Sequence, residues 1–241
     1  MKADRLFQKK RNNATGFNFG RETAEVFGDM LERSVPLYAE LQRMIGEIAA
    51  EFSQDGTNVY DLGCSTGTTL LNISKAVRKR VRLIGVDYSK AMLKKCRLTL
   101  EGHRVSHKWK LVCSDLNNHI NIDNASVVIL NLTLQFVRPL HRDSLIKGIY
   151  RGLRKRGCLI LVEKVLGSDA IFNSMFIKFY YEMKKRKGYS ELEIARKREA
   201  LENVLIPYRL DENKQLLAHN GFTNFDEFYK WYNFCGLLAI K

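Results

Sequence analysis

Short, continuous apolar runs alternate with helix-like segments through the middle of the chain, and this alternation constrains the fold more than any other feature. Residues 127–130 (Val-Val-Ile-Leu) and 158–162 (Cys-Leu-Ile-Leu-Val) are wholly apolar, as expected of strands that are buried on both faces of a parallel sheet. Parallel neighbours need long crossover connections, which are usually helices. The alternation therefore predicts an α/β fold with a doubly wound, mostly parallel sheet.

The predicted elements follow from this pattern. Strands are predicted at 58–62, 81–87, 110–113, 127–131 and 158–163, with helices at 68–79, 90–100 and 142–153. Apolar residues at helical spacing after Pro36 predict a further helix at 37–51. The polar stretch 1–25 is predicted to be an irregular arm.

The alternation of strands and helices ends after the fifth predicted strand. Residues 169–187 and 190–204 are predicted to be helices, and Ser190 with Glu193 forms a capping-box pattern at the start of the second one. These helices make residues 165–210 a predicted helical insertion in the α/β fold.

The chain is predicted to end in one more helix and a β-hairpin. Asp211 is expected to cap the helix and Gly221 to end it. Alternating aromatic residues then predict an antiparallel hairpin over residues 225–240, at the edge of the sheet. With 241 residues and no linker-like segment, residues 1–241 are expected to form a single domain.

The chain is strongly basic, with a formal net charge of +14. A basic surface attracts nucleic acids or anionic substrates. The basic clusters lie at 9–11, 78–80, 154–156, 184–187 and 196–198. They are dispersed and match no nucleic-acid-binding motif, so the favoured interpretation is that they lie on solvated helix faces, and direct contact with nucleic acid is not required.

Cysteine usage and hydropathy indicate a reduced, soluble protein. The five cysteines are odd in number, and none shows C-x-x-C or zinc-site spacing. Cys113 and Cys158 lie in apolar strand-like runs and are expected to be buried. No apolar run approaches the roughly 20 residues needed to span a bilayer, and the N-terminus has no apolar signal region. We expect no metal, no membrane association and a cytoplasmic location.

Residues 58–67 (Asn-Val-Tyr-Asp-Leu-Gly-Cys-Ser-Thr-Gly) place a glycine-bracketed loop after the first strand. Gly63 and Gly67 permit tight turns and the close approach of a ligand. A dinucleotide site needs G-x-G-x-x-G, but Ser65 and Thr68 stand at the second and third glycine positions. A pyrophosphate cofactor is therefore disfavoured.

The same loop formally matches the serine-hydrolase pattern G-x-S-x-G. Asp115 and His219 would complete a triad with Ser65 in the required chain order. However, the loop follows the first strand, and no HGGG-like oxyanion segment precedes it. Five-residue matches with two glycines arise easily by chance, so this alternative is also disfavoured.

The stretch Val59–Gly67 resembles the first motif of class I methyltransferases, although Ser65 replaces their usual middle glycine. Asp87 ends the second predicted strand, where a carboxylate can accept both ribose hydroxyls. Asp115 follows the third strand, where that class contacts adenine. A helix N-cap is the alternative role for each acid. The resemblance implies a Rossmann-like methyltransferase fold that binds S-adenosyl-L-methionine.

A closer resemblance extends from about Ala24 to Lys241 and includes the helical insertion. The segments that carry it are Glu32–Tyr38, Val59–Ser65, Asn131–Phe136, Gly188–Ile194, Lys197–Arg198 and Leu201–Val204. In these segments the chain is similar to the carboxy-S-adenosyl-L-methionine synthase family. This family makes carboxy-S-adenosyl-L-methionine and phenylpyruvate from S-adenosyl-L-methionine and prephenate. A tRNA carboxymethyltransferase then uses the product to build 5-oxyacetyluridine at the wobble position.

The resemblance also implies site residues. Those that line the S-adenosyl-L-methionine site are Tyr38, Gly63, Cys64, Ser65, Asp87, Tyr88, Asp115, Leu116 and Asn131. Arg198 faces the transferred carboxylate and is the implied catalytic residue. A new carboxylate in a partly dry site needs a paired cation, and a guanidinium holds it bidentately. From spacing alone, Arg198 is instead a solvent-facing residue on a basic helix, and Tyr88 departs from the family's usual asparagine.

The leading hypothesis is a cytoplasmic, homodimeric carboxy-S-adenosyl-L-methionine synthase. The first alternative is a methyltransferase that acts on RNA or on a small acid. The second is a non-catalytic cofactor-binding partner of a tRNA-modifying enzyme. A turnover assay distinguishes the methyltransferase from the leading hypothesis, because only a methyltransferase accumulates S-adenosylhomocysteine when an acceptor is supplied.

Overall fold

The computed structural model describes residues 2–8 and 16–241, and strands and helices alternate in it as the apolar pattern predicts. The strands are β1 (Asn58–Leu62), β2 (Arg82–Asp87), β3 (Lys108–Cys113), β4 (Ala125–Asn131), β5 (Leu153–Lys164), β6 (Asn224–Trp231) and β7 (Phe234–Ile240). The helices are α1 (Arg21–Ser34), α2 (Tyr38–Phe52), α3 (Thr68–Ala76), α4 (Lys90–Gly102), α5 (Pro139–Gly152), α6 (Ala170–Arg186), α7 (Glu191–Leu201) and α8 (Leu210–His219).

The strands form one seven-stranded sheet in the order β3-β2-β1-β4-β5-β7-β6. Strands β1 to β5 are mutually parallel, while β7 runs antiparallel to both β5 and β6. The strand order reverses between β1 and β4, and open α/β sheets bind ligands at the carboxyl ends of the strands at such a switch point. The predicted fold class and terminal hairpin are confirmed.

The central strands of the sheet are buried on both faces, which explains their continuous apolar runs. In β4, Val128 and Leu130 belong to one apolar cluster and Val127 and Ile129 to the other. All four side chains are fully buried. Because successive side chains in a strand point to opposite faces, a strand between two helical layers needs apolar residues at every position.

The N-terminal region is more ordered than the prediction of an irregular arm over residues 1–25. Helix α1 already begins at Arg21, and its Val26, Phe27 and Met30 are buried against Met92 of α4. Phe27, Met30 and Leu31 do have helical spacing, so the sequence carried a signal for this helix that the prediction did not use. Basic residues 9–11 lie outside the described residues.

Two local predictions were wrong and two were confirmed. Arg209, rather than Asp211, is the N-cap of α8, since the Glu212 carboxylate already accepts a hydrogen bond from the Arg209 amide at 2.6 Å. Cys113 is exposed, because it ends β3 at the edge of the sheet, whereas Cys158 in central β5 is buried. The capping box of Ser190 and Glu193 is present at the start of α7.

Candidate functional site

A cavity of about 610 Å³ lies at the carboxyl ends of the parallel strands, a volume typical of sites that bind small organic ligands. It is lined by the glycine loop, by residues of α1, α6 and α7, and by Phe17 and Phe19 of the N-terminal arm. The structure brings all the predicted site residues into its wall: Tyr38, Gly63, Cys64, Ser65, Asp87, Tyr88, Asp115, Leu116, Asn131 and Arg198. Their contacts with a ligand stay predictions.

The glycine loop passes close to the strand ends, as a cradle for a ligand requires. The amides of Gly63 and Cys64 both donate to the carbonyl of Val86, at 2.7 and 3.0 Å. Gly63 has a φ of 82°, and a Cβ at this position would overlap the side chain of Thr133. Only glycine satisfies both the backbone conformation and the close approach.

The Asp87 carboxylate hydrogen-bonds to this loop and is not the N-cap of α4. Its Oδ2 accepts a hydrogen bond from the Ser65 amide at 3.0 Å, and its Oδ1 accepts one from the Ser89 amide at 2.8 Å. The cap of α4 is Ser89, whose hydroxyl accepts from the Met92 amide. Burial raises the pKa of Asp87 above its usual value. Each carboxylate oxygen keeps a lone pair for a ligand hydroxyl.

Asp115 lies just after β3, which ends at Cys113, and it is exposed on the cavity wall. Its Oδ1 accepts hydrogen bonds from the Asn117 amide at 2.9 Å and from the Asn117 side chain at 2.8 Å. No helix begins here, so the capping alternative is wrong for this acid too. Buried Leu116 and half-exposed Tyr88 add apolar and aromatic surface beside it.

Two buried acceptors near the loop have no hydrogen-bond partner among the described residues: Asp61 Oδ2 and Asn131 Oδ1. Burial, with a smaller contribution from Asp87, raises the pKa of Asp61 to about 7. A buried unpaired acceptor is costly and calls for a donor from outside the protein. Of these two residues, Asn131 lines the cavity and Asp61 does not. The Asn131 acceptor therefore fits a ligand that carries an amino group, as S-adenosyl-L-methionine does.

Tyr38 and Cys64 are poor candidates for direct chemistry. Burial raises the pKa of Tyr38, so its hydroxyl stays protonated near Thr68 and Gln42. A hydrogen bond with Cys96, together with burial, raises the pKa of the Cys64 thiol. A neutral buried thiol is a weak nucleophile, which agrees with Cys64 serving as a small loop residue.

The structure does not assemble a hydrolase triad at Ser65. The Ser65 hydroxyl donates to the Gly63 carbonyl at 3.3 Å. His219 lies on α8, is largely exposed and pairs with Asp143 at 3.9 Å. Neither of these last two residues lines the cavity.

Three lysines that the sequence analysis did not single out also line the cavity: Lys164, Lys184 and Lys197. The basic runs 184–187 and 196–198 were expected on solvated helix faces, but Lys184 and Lys197 are only 4% and 6% exposed. Helices α6 and α7 turn these two positions inward. The sequence signal that could have pointed to these lysines was the position of Lys164, at the carboxyl end of a central strand.

Burial changes the acidity of all three lysines. It lowers the pKa of Lys164 to about 8 and that of Lys197 to about 8. Burial, reinforced by the positive charges of Lys197 and Lys164, lowers the pKa of Lys184 to about 7. Arg198 follows Lys197 directly but is exposed at the cavity wall, and it makes no hydrogen bond or ion pair with the described residues. Its guanidinium is thus available to an anion in the cavity.

Residues 2–8 and 16–241 contain no group of three or more His, Cys, Asp or Glu side chains placed to hold a metal ion. None of their helices combines the length and the hydropathy that a membrane span needs.

The sheet order and the cavity at the strand ends define a class I S-adenosylmethionine-dependent methyltransferase fold. A sequence profile described as a methyltransferase domain matches residues 59–157. An O-methyltransferase family protein from Burkholderia thailandensis has a TM-score of 0.68 at 14% identity, over 95% of this chain and 65% of that one. Human N-acetylserotonin methyltransferase, solved with S-adenosylmethionine, has a TM-score of 0.57 at 12% identity, over 91% and 55%.

More similar relatives identify the family within this class. The carboxy-S-adenosyl-L-methionine synthase of Methylococcus capsulatus is 53% identical, with full coverage of both chains. Those of Desulfotalea psychrophila and Shewanella oneidensis are 42% and 40% identical, over at least 98% of each chain. The chain belongs to the carboxy-S-adenosyl-L-methionine synthase family.

Proposed function

We propose that this protein converts S-adenosyl-L-methionine and prephenate into carboxy-S-adenosyl-L-methionine and phenylpyruvate. The observation that carries the proposal is the position of Arg198. It lies more than a hundred residues after the glycine loop, yet it lines the same cavity. A methyl group needs no cation, whereas a carboxylate formed in a partly dry site does.

The proposed reaction balances without a further co-reactant. Prephenate loses its ring carboxyl group as carbon dioxide and its hydroxyl as hydroxide, leaving phenylpyruvate. The methyl group beside the sulfonium loses a proton and forms a carbon–carbon bond to the carbon dioxide. The proton and the hydroxide make water.

The chain's own residues would bind and orient the reactants. Asp87 would accept hydrogen bonds from the ribose hydroxyls, and Asp115 would contact the adenine. Asn131 offers an acceptor for the amino group. Arg198 would hold the transferred carboxylate with two parallel hydrogen bonds, which orients it toward the acceptor carbon.

We further propose the biological setting that the family resemblance implies. The enzyme would act as a cytoplasmic homodimer and supply a tRNA carboxymethyltransferase that forms 5-oxyacetyluridine at the wobble position. The net charge of +14 does not require RNA contact, since the link is made by a diffusible product.

Mass spectrometry of the nucleotide that copurifies with the protein tests the proposed function. We expect S-adenosyl-L-methionine heavier by one carbon dioxide, and conversion of added S-adenosyl-L-methionine when prephenate is supplied. Only unmodified S-adenosyl-L-methionine after prephenate is added would overturn the proposal. Accumulation of S-adenosylhomocysteine with an RNA or small-acid acceptor would favour a methyltransferase instead.

A further inference from the structure

Three lysines and two tyrosine rings form a continuous lysine–tyrosine column, defined as Lys164, Tyr180, Lys184, Tyr189 and Lys197. The Lys164 Nζ lies 4.7 Å from the centre of the Tyr180 ring. The Lys184 Nζ lies 5.5 Å from that ring and 5.2 Å from the Tyr189 ring. The Lys197 Nζ lies 5.4 Å from the Tyr189 ring. The column therefore places three lysine amino groups along one side of the cavity.

Only one of these ammonium groups has a polar partner among the described residues. Lys197 donates to the Ser34 hydroxyl at 3.0 Å and lies 3.9 Å from an Asp4 carboxylate oxygen. The ammonium groups of Lys164 and Lys184 make no hydrogen bond and no ion pair within the described residues. Their N–H donors therefore remain available to a molecule that enters the cavity.

Asn233 provides an independent observation that points to the same ligand. It lies in the turn between β6 and β7, is 2% exposed and lines the cavity. Neither its Nδ2 nor its Oδ1 has a hydrogen-bond partner among the described residues. The backbone carbonyl of Asn233 accepts a hydrogen bond from the Val165 amide at 2.8 Å, and this bond fixes the turn beside Lys164. The Asn233 side chain can therefore donate a hydrogen bond through Nδ2 and accept one through Oδ1.

We propose that Lys164, Lys184 and Asn233 form the binding subsite for the second substrate, a small dicarboxylate that also bears a hydroxyl group. The two lysines hold the carboxylate that stays on this substrate, while Arg198 faces the carboxylate that is transferred. Asn233 completes the subsite by pairing with both acceptor and donor atoms of the same molecule. This inference rests on the proposed function and assigns its second substrate to particular residues.

The burial of the subsite favours a small molecule over a polymer. Lys184 is 4% exposed, so a nucleic-acid backbone or a protein segment has no access to its ammonium group. Two ammonium groups near an amide match two negatively charged oxygens and a hydroxyl. An uncharged acceptor would leave both lysines unpaired.

Single substitutions test the subsite against a control on the same helix. In Lys184→Met and Lys164→Met, the KM for prephenate should rise by about tenfold to a hundredfold, as expected for loss of a charge-assisted hydrogen bond. The dissociation constant of S-adenosyl-L-methionine, measured by calorimetry, should stay within about twofold. Lys178→Met is the control, since Lys178 is exposed on α6 outside the cavity.

Inhibition by phenylpyruvate gives a second readout, because this product keeps the carboxylate that the lysines hold. Its inhibition constant should rise in parallel with the KM in both lysine variants. Lys184→Arg retains the charge and should recover part of the loss. Asn233→Ala should raise the KM by about threefold or more, and it provides the test if a lysine variant does not fold.

Binding and turnover together separate this inference from the proposed function. If the wild type makes carboxy-S-adenosyl-L-methionine and the variants keep its KM, the subsite is wrong and the function stands. If the wild type makes none, calorimetry of prephenate with the S-adenosyl-L-methionine-bound protein decides. If prephenate then binds the wild type but not Lys184→Met, the subsite is supported although the proposed function is not. If prephenate binds the variants as it binds the wild type, the subsite is overturned.

Discussion

The Ser65 amide donates to the Asp87 carboxylate at 3.0 Å, and this bond joins the glycine loop to the end of β2. Ser65 has a φ of 47°, a left-handed conformation that is unfavourable for residues other than glycine. The bond holds that conformation where related methyltransferases use a glycine. The proposed ribose-binding carboxylate is therefore also a support of the loop that cradles the same ligand.

This double role predicts that Asp87→Asn affects both stability and binding. Both carboxylate oxygens accept backbone hydrogen bonds, and an amide retains only one acceptor. We expect a loss of about 1–3 kcal/mol in the free energy of unfolding and at least tenfold weaker S-adenosyl-L-methionine binding, measured by denaturation and calorimetry. Asp115→Asn, at an exposed position, should weaken binding but change stability by less than about 0.5 kcal/mol. Equal stability losses in the two variants would contradict this.

Gly63→Ala should damage the cradle. An added Cβ would overlap Thr133 at a φ of 82°, so we expect a destabilisation of about 1–3 kcal/mol and a clear loss of affinity for S-adenosyl-L-methionine. Gly148→Ala is the matched control, because Gly148 lies within α5 and its Cβ would meet nothing within 4 Å. That change should stabilise the protein by up to about 1 kcal/mol. A Gly63→Ala protein with normal melting temperature and affinity would be inconsistent with the described loop.

Arg198→Ala should separate cofactor binding from carboxylation. The Arg198 side chain is exposed and makes no hydrogen bond or ion pair with the described residues, so stability and S-adenosyl-L-methionine affinity should be retained. Loss of a bidentate carboxylate partner should lower carboxylated product formation by about a hundredfold. Arg198→Lys should recover little of this, because an ammonium group cannot make the paired bonds. Arg186→Ala, at an exposed position on α6, is the control, and equal product formation in both alanine variants would argue against a role for Arg198.

Lys184 should make the stability of the unliganded protein rise with pH above about pH 7. Burial, Lys197 and Lys164 lower its folded-state pKa from 10.5 to about 7, while Asp4 and Glu193 oppose the shift. Between these pKa values the unfolded chain binds more protons than the folded chain. The contribution of Lys184 to the free energy of unfolding therefore increases with pH, by at most about 1.4 kcal/mol per unit.

Denaturant unfolding at pH 7, 8 and 9 measures this contribution. The slope of stability against pH should be smaller in Lys184→Met than in the wild type, and unchanged in Lys178→Met. Parallel curves for all three proteins would show that Lys184 keeps an ordinary pKa in the fold.

The sequence by itself determined the sheet and the position of the glycine loop. A strand buried on both faces must be apolar at every position, so β4 and β5 were recognisable without the structure. The tight turn at Gly63 and the acid at the end of β2 followed from similar local requirements. The resemblance to one family then distinguished Arg198 from many other basic residues as a candidate site residue.

Only the tertiary structure decided which basic side chains face the cavity. Lys184 and Lys185 are neighbours in one basic run, yet the first is buried while the second is exposed and pairs with Glu182 and Glu191. The packing of α6 against the rest of the fold makes this distinction, since consecutive helical positions point about 100° apart. The unpartnered amide of Asn233 was equally hidden, because a turn asparagine usually faces solvent. Burial of polar groups results from contacts between distant segments, which a local pattern does not contain.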